Sequence, residues 1–134
     1  RAVVDNHLMT RTAGVEPDVI IGHSMGGSTA LRYAREQIAA GKPAPVVITI
    51  DAAFGSGACP ATRCINIYSP GFPKVVGAEN IDAWQAGAFM VPHAMLATNP
   101  AVQQMVLRQA EAILAERLAS SAPLVAPVPI PRPY

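Results

Sequence analysis

The most constraining stretch of this chain joins an apolar run to a helical pattern through small, regularly spaced residues. Residues 19–21 are a short β-branched run, typical of a buried strand. Gly22, Ser24 and Gly26 follow as G-x-S-x-G, and an alanine-rich helical pattern begins behind them. A strand that turns abruptly into a helix strains its apex residue and leaves no room for side chains two residues away on either side. The sequence therefore predicts a sharp strand–helix turn with Ser24 at its apex.

Ser24 at such an apex has the surroundings that a nucleophile needs. It stands at the N-terminus of the predicted helix, where backbone N–H groups and the helix dipole face a developing negative charge. The N–H of Met25 is predicted to be one of two oxyanion donors. The short pattern alone recurs by chance, so the strand before it and the helix after it carry the prediction. The alternative is an ordinary glycine-rich turn in which Ser24 caps the helix.

Residues 20–27, Ile-Ile-Gly-His-Ser-Met-Gly-Gly, resemble the nucleophile elbow of the α/β-hydrolase superfamily in its lipase and esterase-like form. A looser similarity of order and spacing continues through residues 46–51, 65–69, 77–81 and His93. The resemblance implies an α/β fold with a mostly parallel sheet and flanking helices. It also implies strands ahead of the elbow. We therefore expect the chain, which starts at Arg1, to be the C-terminal part of such a fold, completed by an N-terminal segment or a separate chain.

Residue patterns predict the other elements. We expect helices at residues 2–13, 25–40 and 99–120, strands at residues 46–50, 64–68 and 80–84, and a loop at residues 85–97. Apolar residues of the last helix form a core-facing stripe at helical spacing: Val102, Met105, Val106, Ala110, Ile113, Leu114 and Leu118. Residues 1–120 are predicted to form one hydrolase-like domain, and the proline-rich residues 121–134 an extended tail. A composition of 51% hydrophobic and 14% charged residues suits strands that are buried on both faces.

A serine nucleophile needs a base, and the base needs an acid to orient it. The chain has three histidines. His7 lies upstream of Ser24 and His23 is adjacent to it, whereas His93 follows the last predicted strand, where the resemblance places the base. We predict His93 as the general base; the alternative is a surface or packing histidine. The resemblance implies that His23 helps to shape the turn.

Three carboxylates compete for the role of the acid. The resemblance implies an acid just after the strand at residues 64–68, but residues 69–73 contain no carboxylate. Asp51 is favoured because it ends the preceding strand, at the sheet edge where α/β proteins bind ligands. Asp82, beside the last strand, is the alternative acid, and Glu79 is a more distant third. Aspartates at strand ends also serve as loop caps, which is the other interpretation of both.

These residues predict a serine hydrolase that cleaves carboxylic ester or thioester bonds of a small-molecule acyl substrate through an acyl-enzyme, with no cofactor and no metal. The second hypothesis is a catalytically inactive hydrolase-like binding or assembly module, which the missing acid and the absent N-terminal half favour. Amidase or acyltransferase chemistry would use the same triad. A net charge of +1 without a basic stripe argues against nucleic acid as a partner, and no apolar run is long enough for a membrane span.

Cys59 and Cys64 are the two cysteines of the chain. They either form a small disulfide in an oxidising compartment or stay reduced, which leaves cytoplasmic, periplasmic and secreted locations open. Without further ligands at zinc spacing, they do not predict a metal site.

Four large apolar residues flank the predicted base: Trp84, Phe89, Met90 and Met95. They either line an acyl pocket or belong to the core, which is the commoner position of such residues.

Overall fold

The computed structural model describes residues 2–4 and 17–121, and its centre is a five-stranded sheet. The elements in chain order are β1 (Ala2–Val4), β2 (Val19–His23), α1 (Met25–Ala39), β3 (Val46–Ile50), β4 (Cys64–Tyr68), β5 (Glu79–Asp82), α2 (His93–Leu96) and α3 (Pro100–Ser121). The strands lie in the order β1-β2-β3-β4-β5, and each neighbouring pair is parallel. The predicted α/β fold, a parallel sheet with flanking helices, is confirmed.

Both faces of the sheet are buried because successive strand residues point to opposite sides. On one face Ile20 and Val47 pack in a cluster with Leu31 of α1. On the other face Ile21 and Ile48 belong to a cluster that includes residues of α3. All five positions of β3 are buried. The carboxyl ends of β2, β3 and β4 therefore meet at one edge of a rigid, apolar platform.

Asn99 starts α3 as an N-cap. Its Oδ1 accepts hydrogen bonds from the N–H groups of Ala101 at 2.9 Å and Val102 at 3.2 Å, an arrangement that stabilises a helix by about 1 kcal/mol. Four residues of the predicted stripe are buried: Val102, Val106, Ala110 and Ile113. Leu118, also predicted in the core, is 71% exposed. At that turn Arg117 reaches back instead, donating to Asp18 at 3.3 Å and to the Ala44 carbonyl at 3.4 Å.

The helix predicted at residues 2–13 is wrong at its start, where the structure has strand β1. Ala2 lies opposite Val19 and Val4 opposite Ile21 in a parallel ladder with β2. Pairing with the edge of β2 satisfies the backbone of two β-branched residues, and this outweighs a helical spacing of apolar residues. The rest of that predicted helix, with His7, lies outside the described residues, as does the predicted tail from residue 122 onward.

Two boundaries near the C-terminal end of the sheet also differ from expectation. β5 covers Glu79–Asp82 instead of residues 80–84, because Asp82 Oδ1 accepts the N–H groups of Trp84 at 2.9 Å and Gln85 at 3.3 Å and so turns the chain. The loop predicted at residues 85–97 contains the one-turn helix α2, His93–Leu96, which Pro92 precedes in an extended conformation.

The cysteines of the chain are joined in a disulfide between Cys59 and Cys64. Of the two states that the sequence allowed, the structure has the oxidised one. Within the described ranges, no helix combines the length and the hydrophobicity that crossing a membrane requires.

Candidate active site

The predicted strand–helix turn is present between β2 and α1. Ser24 has φ 56° and ψ −118°, a conformation that costs about 1–3 kcal/mol outside glycine. A Cβ atom on Gly22 would lie 2.2 Å from the carbonyl oxygen of Gly26, so no side chain fits there. Ser24 N–H donates to the Ile50 carbonyl at 3.0 Å, and Ala53 N–H donates to the Ser24 carbonyl at 3.1 Å. At about 1 kcal/mol each, these bonds offset much of the strain at the apex.

His93 lies within hydrogen-bond distance of both Ser24 and Asp51. Its Nε2 is 3.0 Å from Ser24 Oγ, and its Nδ1 is 2.9 Å from Asp51 Oδ2. With the proton on Nδ1 donated to the carboxylate, the Nε2 lone pair accepts the Ser24 hydroxyl proton. The His93 side chain is 28% exposed, whereas that of Asp51 is fully buried. The three predicted residues therefore form one hydrogen-bonded chain from solvent to interior.

Asp51 turns its carboxylate along the sheet edge from a position just after β3. Its φ is 44°, a left-handed conformation that aspartate adopts more readily than most residues. Ser69 donates twice to this carboxylate, from its N–H to Oδ1 at 2.6 Å and from its Oγ to Oδ2 at 2.6 Å. Together with His93, three donors satisfy the buried carboxylate, which removal from water would otherwise destabilise by several kcal/mol.

The other candidate acids, Asp82 and Glu79, lie away from the hydrogen-bonded series of Ser24, His93 and Asp51. Asp82 uses Oδ1 to accept the two N–H groups of the turn after β5, so it acts as a loop cap. Glu79 begins β5, at the amino end of the strand and away from the edge that carries Ser24. Met25 is the first residue of α1, which puts its N–H among the first-turn donors that have no acceptor within the helix.

The sequence pattern of the alpha/beta hydrolase family matches this chain over residues 1–134. The chain belongs to the alpha/beta hydrolase family. The resemblance seen at the elbow is thereby confirmed, and membership supports hydrolase activity in general terms. No curated protein and no solved structure matches the chain.

Two aromatic side chains flank the imidazole of His93 in this hydrolase. Phe72 stacks on it, with ring centroids 4.0 Å apart and planes 9° apart. His23 lies at a centroid distance of 4.9 Å, and its Nε2–H donates to the His93 carbonyl at 3.0 Å. The resemblance implied that His23 shapes the elbow turn; in the structure its side chain reaches across to the backbone of α2. His93 is therefore held at its ring and at its main chain.

Sequence reasoning missed Ser69 and Phe72 as parts of the site. Both lie in residues 69–73, the stretch in which the resemblance implied an acid. A usable signal was the order of the strands: β4 follows β3 and pairs with it in parallel, with Ile50 opposite Ile67, so the residues that follow β4 lie near Asp51. The polar residue at the first of these positions, Ser69, could have been read as its partner.

Residues flanking the predicted base are mostly on the surface rather than in the core. Phe89, Met90 and Met95 are 74%, 64% and 60% exposed. Trp84 is partly buried, and its Nε1–H donates to the Val91 carbonyl at 3.0 Å. Among residues 2–4 and 17–121, no group of three histidine, cysteine or acidic side chains could hold a metal ion.

Proposed function

We propose that this alpha/beta hydrolase cleaves carboxylic esters or thioesters with Ser24 as nucleophile, His93 as general base and Asp51 as the orienting acid. The observation that supports this is the unbroken chain from Ser24 Oγ to His93 Nε2 at 3.0 Å and from His93 Nδ1 to Asp51 Oδ2 at 2.9 Å. A serine hydroxyl becomes a useful nucleophile when a base accepts its proton in this geometry.

In the first half-reaction, Ser24 Oγ forms a bond to the carbonyl carbon while its proton passes to His93 Nε2. The carbonyl oxygen becomes an oxyanion, and the Met25 N–H at the start of α1 donates to it. The bond to the leaving oxygen or sulfur then breaks, and His93 returns the proton to that atom. Throughout, Asp51 stays ionised and stabilises the imidazolium.

Water completes the cycle on the acyl-enzyme. His93 removes a proton from the water as its oxygen attacks the Ser24 ester. The second tetrahedral intermediate collapses, His93 gives the proton to Ser24 Oγ, and a carboxylic acid leaves. No cofactor and no metal enters either half of this proposal.

Side chains around Ser24 favour esters with an apolar acyl group. Met25 is 74% exposed and Phe54 is 71% exposed. Phe54 follows Ala53, whose N–H donates to the Ser24 carbonyl, and its ring centroid lies 6.0 Å from that of Phe72. In the acyl-enzyme, an acyl chain attached to Ser24 Oγ would cover the side chains of Met25 and Phe54. This contact would contribute about 25 cal/mol for each Å² of apolar surface removed from water.

Replacing the nucleophile tests the proposal. With Ser24→Ala, we expect turnover of p-nitrophenyl acetate to fall by roughly 10³-fold or more, because the acyl-enzyme no longer forms. Ser28→Ala is the matched control. Ser28 lies one turn further along the chain and its Oγ is hydrogen-bonded to Ser56 Oγ, so we expect turnover within a few-fold of the wild type. A Ser24→Ala protein that hydrolyses the ester at the wild-type rate would overturn the proposal.

The stretch after β4 without a carboxylate favours the second hypothesis, an inactive binding or assembly module. A fluorophosphonate probe distinguishes the two hypotheses, because it reacts with an activated serine and not with an unactivated one. Labelling of the wild-type protein that disappears in Ser24→Ala supports the hydrolase. A folded protein that stays unlabelled supports the module.

A further inference from the structure

The turn at residues 69–72 contacts both the acid and the base of the proposed triad. We infer that this turn is a positioning device: Ser69 fixes the orientation of the Asp51 carboxylate, and Phe72 fixes the plane of the His93 imidazole. The inference rests on the proposed function and adds to it two residues that exchange no proton and form no covalent bond in the reaction. It also gives a role to the stretch from which the expected acid is missing.

Ser69 controls the rotation of the Asp51 carboxylate. The terminal torsion of an aspartate side chain is broad and roughly two-fold, so the backbone alone does not set it. Ser69 N–H binds Oδ1 and Ser69 Oγ binds Oδ2, both at 2.6 Å. Two donors from one residue fix a carboxylate in the way that a bidentate partner does. Oδ2 is then aimed at His93 Nδ1, 2.9 Å away.

Phe72 controls the plane of the imidazole. The terminal torsion of a histidine is as broad as that of an aspartate. Phe72 covers one face of the His93 ring at 4.0 Å and almost parallel to it, so rotation of the imidazole would drive its edge into the phenyl ring. The Phe72 N–H donates to the Ser69 carbonyl at 3.1 Å. The two positioning contacts therefore belong to one closed turn and are fixed relative to each other.

Kinetics of four variants test the inference with p-nitrophenyl acetate, a substrate too short to depend on acyl contacts. Misplacement of a catalytic group by about 1 Å costs on the order of 10²-fold in rate. We expect Ser69→Ala to lower kcat by about 10- to 100-fold while KM changes less than about 3-fold. Ser69→Thr keeps the hydroxyl and should recover most of the rate. Phe72→Leu should lower kcat by about 10-fold and Phe72→Tyr should leave it near the wild type, because tyrosine keeps the flat face.

A double-variant comparison distinguishes positioning from simple loss of a buried bond. If Ser69 acts through Asp51, Ser69→Ala should cost less than about 3-fold in an Asp51→Asn background, since little alignment is left to lose. The rate of fluorophosphonate labelling at Ser24 is the readout, because it stays measurable when turnover is slow. Thr49→Val is the matched control: it removes a buried hydroxyl that donates to Asn66 Oδ1 at 2.7 Å, and it should leave kcat within a few-fold.

Three results would overturn the inference: Ser69→Ala equally costly in both backgrounds, a folded Ser69→Ala protein with wild-type kcat, or Thr49→Val as damaging as Ser69→Ala. Failure of the proposed function is recognised separately. If Ser24→Ala is active, both fall. If Ser24→Ala is inactive while folded variants at Ser69 and Phe72 keep the wild-type kcat, only the positioning role of the turn falls.

Discussion

Ser24 and Asp51 are both held in left-handed backbone conformations at the same sheet edge, yet the means differ. Around Ser24 the fixed points are backbone atoms: the bare Cα of Gly22 against the Gly26 carbonyl, and the hydrogen bond from Ser24 N–H to Ile50. Around Asp51 a similar backbone bond, from its N–H to the Ile67 carbonyl at 2.8 Å, is joined by a side-chain contact: Ser69 binds both carboxylate oxygens.

The difference separates local from distant control of the site. Gly22 and Gly26 are neighbours of Ser24 in sequence, so the steric requirement of the elbow is local, and the hydrogen bonds of Ser24 to Ile50 and Ala53 add to it. Ser69 is 18 residues from Asp51, and His93 is 42 residues from it. The conformation of Ser24 thus depends mainly on a motif, whereas the contact between Asp51 and His93 depends on the packing of β3, β4 and α2. Substitutions in the elbow and substitutions around Asp51 should therefore affect the protein in different ways.

The largest effect is expected at the residue that joins the two regions. His93→Ala removes the acceptor of the Ser24 proton, and removal of the base in serine triads costs on the order of 10⁶-fold in kcat. We expect the His93→Ala, Ser24→Ala double variant to be no slower than either single variant, because the residues act as a unit. Single-turnover kinetics with p-nitrophenyl acetate measures this. Additive losses would mean that the two side chains work independently.

Asp51→Asn should cost less, about 10⁴-fold in kcat, because an amide next to Nδ1 favours the wrong imidazole tautomer while the nucleophile stays in place. Asp82→Asn is the control: Asp82 caps the turn after β5, and its replacement should leave kcat within a few-fold. The two variants are compared in one steady-state assay. A large loss at Asp82 with little loss at Asp51 would reverse the assignment of the acid.

Gly22→Ala tests the backbone-held elbow through stability. A methyl group 2.2 Å from the Gly26 carbonyl forces the turn apart, and we expect the free energy of unfolding to fall by about 3 kcal/mol or more. Gly55→Ala is the control, since nothing lies within 4 Å of the added carbon and only its positive φ of 79° opposes it, at about 1–2 kcal/mol. Urea unfolding gives both values. Equal losses would show that the elbow has room to adapt.

The smallest effect concerns the disulfide in the loop between Asp51 and β4. Replacing Cys59 and Cys64 by alanine frees a short loop, with five residues of sequence separation, and loop-closure entropy predicts a loss of about 2 kcal/mol. We expect kcat to stay unchanged, because this loop contacts Ser24 through Ala53, and none of the hydrogen bonds that hold the proposed triad comes from residues 59–64. A fall in kcat would show that the disulfide also helps to position Asp51.

Much of the fold follows from signals that lie within single elements. The run at β3 is apolar throughout and buried throughout, and the stripe of α3 begins at a recognisable Asn99 cap. The elbow belongs to the same class, because its glycines and its serine are adjacent in the chain. Such features are set by local sterics and periodicity, and the sequence contains both.

The remaining features depend on partners that are distant in sequence. Asp51 and Asp82 both end strands, and only the position of His93 and the donors of the turn after β5 distinguish their roles. The role of Ser69 depends on the pairing of β4 with β3, which brings Ser69 next to Asp51. Ala2–Val4 is a strand because β2 offers an unpaired edge. In each case, the residues that determine the structure or the contact lie in another part of the sequence.

The hydrogen bond between Ser24 and His93 spans 69 residues of chain. Contacts of such high sequence separation form only after loop closure has been completed across several parallel strands. The proposed triad therefore cannot form in a partly assembled sheet, because β2, β3, β4 and α2 must all be in place together. In a urea titration, loss of ester turnover and loss of circular dichroism should fall on one curve, so that activity serves as a probe of folding cooperativity across the whole sheet.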